Sequence, residues 1–309
     1  MKKVLLTGAT GFIGGHCLPL LLEKGYEVHA VSSKQVDKIL SEGNWHQANL
    51  LKSSQVYELM AKVQPSHLLH FAWYAVPGKY WTSLENFRWV QGSLDLLSAF
   101  VQHGGKRVVM AGTCAEYNWN YGYCSEAVTP LSPATVYGTC KHSLQMMLDA
   151  FVQQTRLSAA WGRIFFVYGP HEHPSRLVSS VIHSLIKGEP ALCSHGNQIR
   201  DFLYVEDVAD AFVALLESDV AGALNIASGE PVALKDIIYK VATQFNRTEL
   251  IQLGAIPSSS NDPPFLVANV ERLKDEVNWR LKYNSSRGLE QTIKWWKKNY
   301  DTKTSMSSM

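Results

Sequence analysis

Residues 4 to 15, VLLTGATGFIGG, constrain the fold of this chain more than any other segment. Val4 to Leu6 form an apolar run the length of a short buried strand. The chain then turns through Gly8, Gly11 and Gly14 and enters LPLLLEKG, a helical stretch that Gly25 stops. Strand, glycine turn and helix in this order suit a phosphate-bearing ligand. Gly8 permits the tight turn, Gly11 lets the backbone approach a pyrophosphate, and Gly14 lets helix and strand pack closely. The helix N-terminus adds free N–H groups and a partial positive charge. Thr10, Phe12 and Ile13 complete the turn and join the three glycines as candidate cofactor-binding residues.

Beyond this unit, apolar strands alternate with helical stretches: HLLHFAW, SLENFRWVQGSLDLLSAF, RVVMAGT, the stretch around Tyr137, and SAAWGRIFFVYG. Such alternation predicts an α/β fold, a Rossmann-type doubly wound parallel sheet with helices on both faces. From Pro170 the segments shorten and Pro, Gly and Ser become more frequent, which marks a smaller C-terminal α/β region. There LVSSVIHSLIKG, LKDIIYKVATQF and LEQTIKWWKKNY read as helices, IRDFLYVEDVADAFVALLES as a strand leading into a helix, and GALNIAS as a strand. Residues 301–309 are polar and are expected to be a disordered tail.

Ligands of an open parallel sheet bind at the carboxyl ends of its strands. The second strand, YEVHAVSSK, ends without the acid that would accept hydrogen bonds from an adenosine ribose. Ser32, Ser33 and Lys34 offer hydroxyls and a positive charge, which favours NADP(H) over NAD(H); Lys34 also fits a solvated turn. Asp37 lies too far along to replace the missing acid unless its loop folds back. Phe71, Ala72 and Trp73 fall at another strand end, as do Gly112–Thr113 and Phe166–Tyr168.

Tyr137 and Lys141 stand four residues apart in VYGTCK, hence on one face of a helix. The lysine charge is expected to stabilise a tyrosinate and draw the phenol down from about 10 toward neutrality. Such a phenol exchanges protons with an alcohol or carbonyl oxygen.

Composition narrows the partners. A net charge of +2 with both signs mixed along 309 residues implies neither a nucleic-acid nor a membrane-surface partner. No apolar stretch reaches membrane-spanning length. Five cysteines without C-x-x-C spacing fit reduced thiols and a cytoplasmic location. His171 and His173 in GPHEHP lack the companions of a metal site, so no metal is expected.

Taken together, TGATGFIGG, HFAW, GTCAEY before YGTCK, RIFFVYGP and QIRDFLYVEDVADA followed by LNIASG resemble the extended short-chain dehydrogenases/reductases, in the nucleotide-sugar epimerase, dehydratase and reductase branch. The likeness runs from the glycine turn to about Trp296. It implies a dinucleotide-binding domain of residues 1–167 and 204–228, interleaved with a nucleotide-sugar region of 168–203 and 229–300. It also implies a homodimer formed through the helix carrying Tyr137 and the one before it.

The resemblance assigns Tyr137 as acid/base, Lys141 as the nicotinamide-ribose ligand, and Thr113 as the hydroxyl that polarises the reacting oxygen. Thr113 also fits an ordinary strand-end threonine. Asn49 stands where relatives contact adenine, beside Leu50. Arg200 matches an arginine that contacts the diphosphate, with Arg176 as a helper.

Several positions depart from the pattern. Cys114 and Ala115 replace the acidic pair of 4,6-dehydratases. Ala115 also replaces the cysteine base of 3,5-epimerases. Cys114, if on a strand, would face away. Glu116, where an apolar residue is common, fits either a substrate-hydroxyl acceptor or a surface or paired carboxylate. Phe166, Trp73 and Trp89 replace smaller or polar residues and suit an aromatic substrate pocket or a plain core.

These features point to reduction of the 4-keto group of an NDP-4-keto-6-deoxyhexose by NAD(P)H, with Tyr137 as proton donor. Two other readings stand beside it: an NAD-dependent nucleotide-sugar 4-epimerase, and a non-catalytic dinucleotide-sensing regulator. The retained Tyr/Lys pair weighs against the regulator.

Overall fold

The computed structural model describes residues 2–36, 42–258 and 262–307, with side chains described through residue 300. In chain order its strands begin with β1 (Lys3–Thr7), β2 (Glu27–Ser32), β3 (Asn44–Gln47), β4 (His67–His70) and β5 (Arg107–Thr113). They continue with β6 (Tyr123–Cys124), β7 (Ser158–Ile164), β8 (Phe166–Tyr168), β9 (Ala191–Leu192), β10 (Ile199–Tyr204) and β11 (Gly222–Ile226). β12 (Pro231–Ala233), β13 (Ile251–Gln252) and β14 (Phe265–Ala268) complete the set. Seven of them form one parallel sheet in the order β11-β7-β5-β4-β1-β2-β3. The order reverses direction at β1, which creates the crevice between β1 and β4 where such sheets hold ligands.

Alternation along β1 explains the two layers. Val4 and Leu6 face a core shared with Cys17 and Leu21 of α1 (Gly14–Glu23) and with Val208, Phe212 and Leu216. Leu5 faces the opposite core, with Val56 and Met60 of α2 (Ser53–Val63), Leu96 and Phe100 of α3 (Glu85–Gln102), and Leu144 and Leu148 of α4 (Val136–Gln154). Successive residues of a strand point to opposite faces, so one apolar run supplies both layers.

The smaller region has its own sheet, β12-β10-β14-β6, with β8 also paired to β10. Its core forms where α5 (Leu177–Lys187) and α7 (Leu234–Phe245) meet. The helix α6 (Val205–Glu217) follows β10 directly and returns to the large sheet beside α1. The short α8 (Glu271–Asp275) and α9 (Ser285–Ser307) end the chain.

Four differences from the sequence reading have physical causes. SAAWGRIFFVYG is two strands, because β8 leaves the large sheet after Ile164 and pairs with β10. β6, within residues 1–167, pairs with β14 of the smaller sheet, a long-range match invisible to local pattern. The first helix begins at Gly14 rather than near Leu18 and encloses Pro19. Residues 301–307, expected to be disordered, continue α9; the stretch holds no Gly or Pro, so the helix propagates from the preceding turn.

Candidate active site

The glycine turn is built as its spacing requires. Gly8 has φ +68°, and a Cβ there would lie 2.9 Å from the amide nitrogen of Ala72. A Cβ at Gly14 would collide with the Gly8 carbonyl. Gly11 N donates to Gly8 O at 2.8 Å. Glycine alone therefore fits at 8 and 14, and the backbone lies open in front of α1 as a phosphate cradle does. Thr10 is exposed, while Phe12 and Ile13 pack toward the smaller region's core. Phe71 lies edge-on to Phe212 with centroids 4.8 Å apart, and Leu50 is buried in the core, so their side chains serve packing. Thr7, His70 and Ser93 form a buried chain, Oγ1 to Nδ1 at 2.7 Å and Nε2 to Oγ at 2.9 Å, which ties β1, β4 and α3 together beneath the crevice.

Thr113 ends β5, and Tyr137 lies in the first turn of α4. The N-cap Thr135 accepts from Gly138 N at 3.0 Å and starts the helix. A Cβ on Gly138 would strike the Ala115 carbonyl, so this glycine lets α4 approach the turn after β5. The approach brings the Thr113 hydroxyl against the Tyr137 phenol. One helical turn on, Lys141 is buried, and its Nζ donates to Ala111 O at 2.8 Å and sits 3.8 Å over the Trp73 ring. Trp73 is itself fixed by its Nε1 donating to Asn86 Oδ1 at 2.8 Å and by Trp89.

The expected tuning of Tyr137 by Lys141 is not what the structure shows. Burial is the largest influence on the phenol and pushes it above its ordinary range; the Thr113 hydroxyl opposes part of that rise. Lys141 falls to about 7 through burial, with Glu116 opposing the fall. The lysine's charge is engaged by a carbonyl and an indole face rather than by the phenol.

Two residues absent from the sequence reading enclose Tyr137. The Tyr80 ring stands edge-on to it at 4.9 Å, and Trp81 does so at 5.7 Å while its carbonyl accepts from Tyr137 N at 3.1 Å. Trp119 lies beyond Trp81, at 6.1 Å. GKYWTS sits in a loop where no periodicity marks function; its Tyr-Trp pair was the only available sign.

The substrate candidates divide. Glu116 is not a substrate contact: wholly buried, it accepts from Arg163 Nε at 2.7 Å, Trp161 Nε1 at 2.9 Å and Thr113 N at 2.8 Å. Of its two readings, the paired carboxylate is correct. Cys114 does not extend a strand; it begins a 3-10 turn, Cys114–Glu116, and is buried, so its thiol is pushed up and chemically quiet. Arg200 is buried along Phe166 at 5.3 Å and ion-paired to Asp262 Oδ1 at 2.5 Å, so a diphosphate would have to compete with that carboxylate. Asp262, 62 residues away, gave no signal in sequence. Arg176 is exposed and stacks on Tyr80 at 5.6 Å, which places it beside the Tyr137 enclosure.

At the other end of the crevice, Ser33 and Lys34 are exposed past β2. Ser32 is buried, and its Oγ accepts from Lys34 N at 3.1 Å, closing the turn rather than facing a ligand. Asn49 caps its own turn through Oδ1, which accepts from Leu51 N at 3.0 Å. Ser33 and Asn49 line one polar groove of about 570 Å³ with His46 and Lys62. Asp37 lies outside the described residues. Among the described residues no cluster of His, Cys, Asp or Glu could hold a metal, and no helix is long and apolar enough to cross a membrane.

The doubly wound sheet, glycine cradle and Thr/Tyr/Lys cluster define an extended short-chain dehydrogenase/reductase fold. The chain belongs to the NAD dependent epimerase/dehydratase family, whose model matches residues 4–227, and it is an enzyme of that family. The dTDP-6-deoxy-L-talose 4-dehydrogenase (NAD(+)) of Aggregatibacter actinomycetemcomitans is 24% identical, covering 84% of this chain and 97% of that protein. Among solved structures, MoeE5 in complex with UDP-glucuronic acid and NAD superposes with a TM-score of 0.83 at 27% identity, over 97% of this chain and 100% of that one. Thermus thermophilus UDP-glucose 4-epimerase in complex with NAD gives 0.81 at 25% identity, over 96% and 99%.

Proposed function

We propose that this chain reduces the 4-keto group of a nucleotide-activated 4-keto-6-deoxyhexose, with Tyr137 as proton donor. The observation that carries the reading is the contact of Thr113 with Tyr137 at the mouth of the crevice, next to a residue, Ala115, that cannot move a proton. The glycine cradle fits a dinucleotide, and NAD(P)H supplies a hydride when bound. Thr113 holds the carbonyl oxygen, and the Tyr137 hydroxyl gives it a proton as negative charge develops. Burial favours the protonated phenol, which suits a group acting as acid in the reductive direction. Lys141 supports the site through its charge and is the ribose ligand. Tyr80, Trp81 and Trp119 form an apolar wall that keeps water from the reacting oxygen.

Without an acid/base at 115, NDP-hexoses that are not yet oxidised should yield no 4-keto-6-deoxy product when incubated with the protein and cofactor. Accumulation of that product would refute the reading. A 4-epimerase would use the same Thr113 and Tyr137, and the epimerase likeness favours keeping it as the second reading. The cofactor that copurifies separates the two: tightly held NAD favours epimerisation, whereas NADPH consumption by an empty protein favours reduction.

Ser33 and Lys34, exposed past β2, support a preference for NADP(H), although the relatives described above are named with NAD. NADPH should bind more tightly than NADH, and Lys34→Ala should erase much of the difference. A lost charge-assisted contact of about 1.5 to 3 kcal/mol is roughly a tenfold to hundredfold change in affinity. Titrations of both cofactors at fixed ionic strength measure it, and equal affinities in the wild type would make Ser33 and Lys34 turn residues only.

A homodimer through α3 and α4 is part of the same proposal. Leu84 and Phe87 at the start of α3, and Met146 and Met147 on α4, are exposed apolar side chains that a second copy would cover.

A further inference from the structure

We propose that Asn86 is a positioning residue of this site: one buried amide holds Trp73 over the Lys141 ammonium and ties down the loop that walls Tyr137. The inference rests on the roles given above to Tyr137 and Lys141 and adds a residue that acts on both through their neighbours.

Asn86 is the second residue of α3 and is wholly buried. Its Oδ1 accepts from Trp73 Nε1 at 2.8 Å, and its Nδ2 donates to Tyr80 O at 2.7 Å and to Ser83 O at 2.8 Å. The direction of each bond is forced, because an indole N–H only donates and a carbonyl only accepts. This point in the fold therefore asks for one acceptor and two donors, which a side-chain amide supplies. An aspartate would set a carboxylate against two carbonyls, and a leucine would leave all three groups unpaired.

Both arms lead to the reacting pair. On one side the anchored indole faces Lys141, whose Nζ lies 3.8 Å from the ring centroid and donates to Ala111 O at 2.8 Å. A ring face and a carbonyl together fix where the ammonium sits. On the other side, Asn86 holds the carbonyl that joins Tyr80 to Trp81. The Tyr80 ring stands edge-on to Tyr137 at 4.9 Å, and Trp81 O accepts from Tyr137 N at 3.1 Å. The Tyr80–Trp81 pair is thus held at both carbonyls, one by Asn86 and the other by α4. Without the amide, the indole is free to turn away from Lys141 and the loop is free to lift from Tyr137.

Three variants separate the arms. Trp73→Phe keeps an aromatic face but removes the bond to Asn86. Asn86→Asp keeps an acceptor for Trp73 and, even when protonated, donates to one of the two carbonyls at most. Asn86→Leu removes every bond. The indole N–H signal of Trp81, assigned by NMR from Trp81→Phe, should move in both Asn86 variants and stay near its wild-type position in Trp73→Phe. Affinity for the tighter-binding of NADPH and NADH should fall roughly tenfold in Trp73→Phe and in Asn86→Leu. The double variant Trp73→Phe/Asn86→Leu should bind no more weakly than either single one, because both remove the same bond. In turnover of the 4-keto sugar, kcat should fall roughly tenfold to hundredfold in both Asn86 variants, with a smaller change in KM.

A Trp81 signal unmoved in both Asn86 variants would overturn the proposal, as would additive losses of affinity in the double variant. If Asn86→Leu does not fold, an unmoved Trp81 signal in Asn86→Asp, or unchanged cofactor affinity in Trp73→Phe, overturns it instead. Absence of sugar turnover by the wild type would sink the reduction reading alone, since the indole signal and the cofactor affinities are measured without a sugar.

Discussion

Tyr137→Phe should lower turnover by roughly two to four orders of magnitude while leaving dinucleotide binding nearly intact. The substitution removes only the hydroxyl that meets Thr113. The ring contacts with Tyr80 and Trp81, and the bond from Tyr137 N to Trp81 O, do not depend on that oxygen. Fold and cradle should therefore persist. Single-turnover reduction, followed by loss of reduced-cofactor absorbance beside a fluorescence titration of cofactor binding, separates the two effects. A variant that keeps most of its turnover would remove Tyr137 from the chemistry and leave Thr113 without a partner.

Arg163→Met should reduce the free energy of unfolding by about 3–5 kcal/mol, the cost of leaving one partner of a buried ion pair uncompensated. Arg163 is 1% exposed and Glu116 0%, so water cannot replace the lost partner. The guanidinium also donates to Tyr117 Oη at 3.0 Å and Gln145 Oε1 at 2.8 Å. Those partners are less exposed to the loss: Tyr117 still donates to Asn225 Oδ1, and Gln145 still donates to Asp149. Most of the penalty should thus trace to Glu116. Adding Glu116→Gln should restore more than half of the lost stability, because a neutral amide needs no counter-charge. Denaturant unfolding of wild type, both single variants and the double variant measures the coupling. Additive losses across the cycle would mean that the pair is energetically incidental.

The sequence by itself determined the frame and the places where chemistry could occur. Positions 8 and 14 demand glycine, because a side chain would meet Ala72 N or the Gly8 carbonyl, and the spacing of TGATGFIGG carries that demand. The apolar run at Val4–Leu6 contains both core faces because strand residues alternate, and the four-residue spacing of Tyr137 and Lys141 fixes their shared helix face. Tertiary structure decided what those residues experience. Lys141 is committed to Ala111 O and the Trp73 face, and Tyr137 is enclosed by Tyr80 and Trp81 from a loop more than fifty residues earlier. Glu116 became a partner of Arg163, 47 residues on, and Arg200 a partner of Asp262, 62 residues on. Periodicity and spacing act over a few residues, whereas pKa values and ion pairing depend on burial and on charges that only the folded chain brings together.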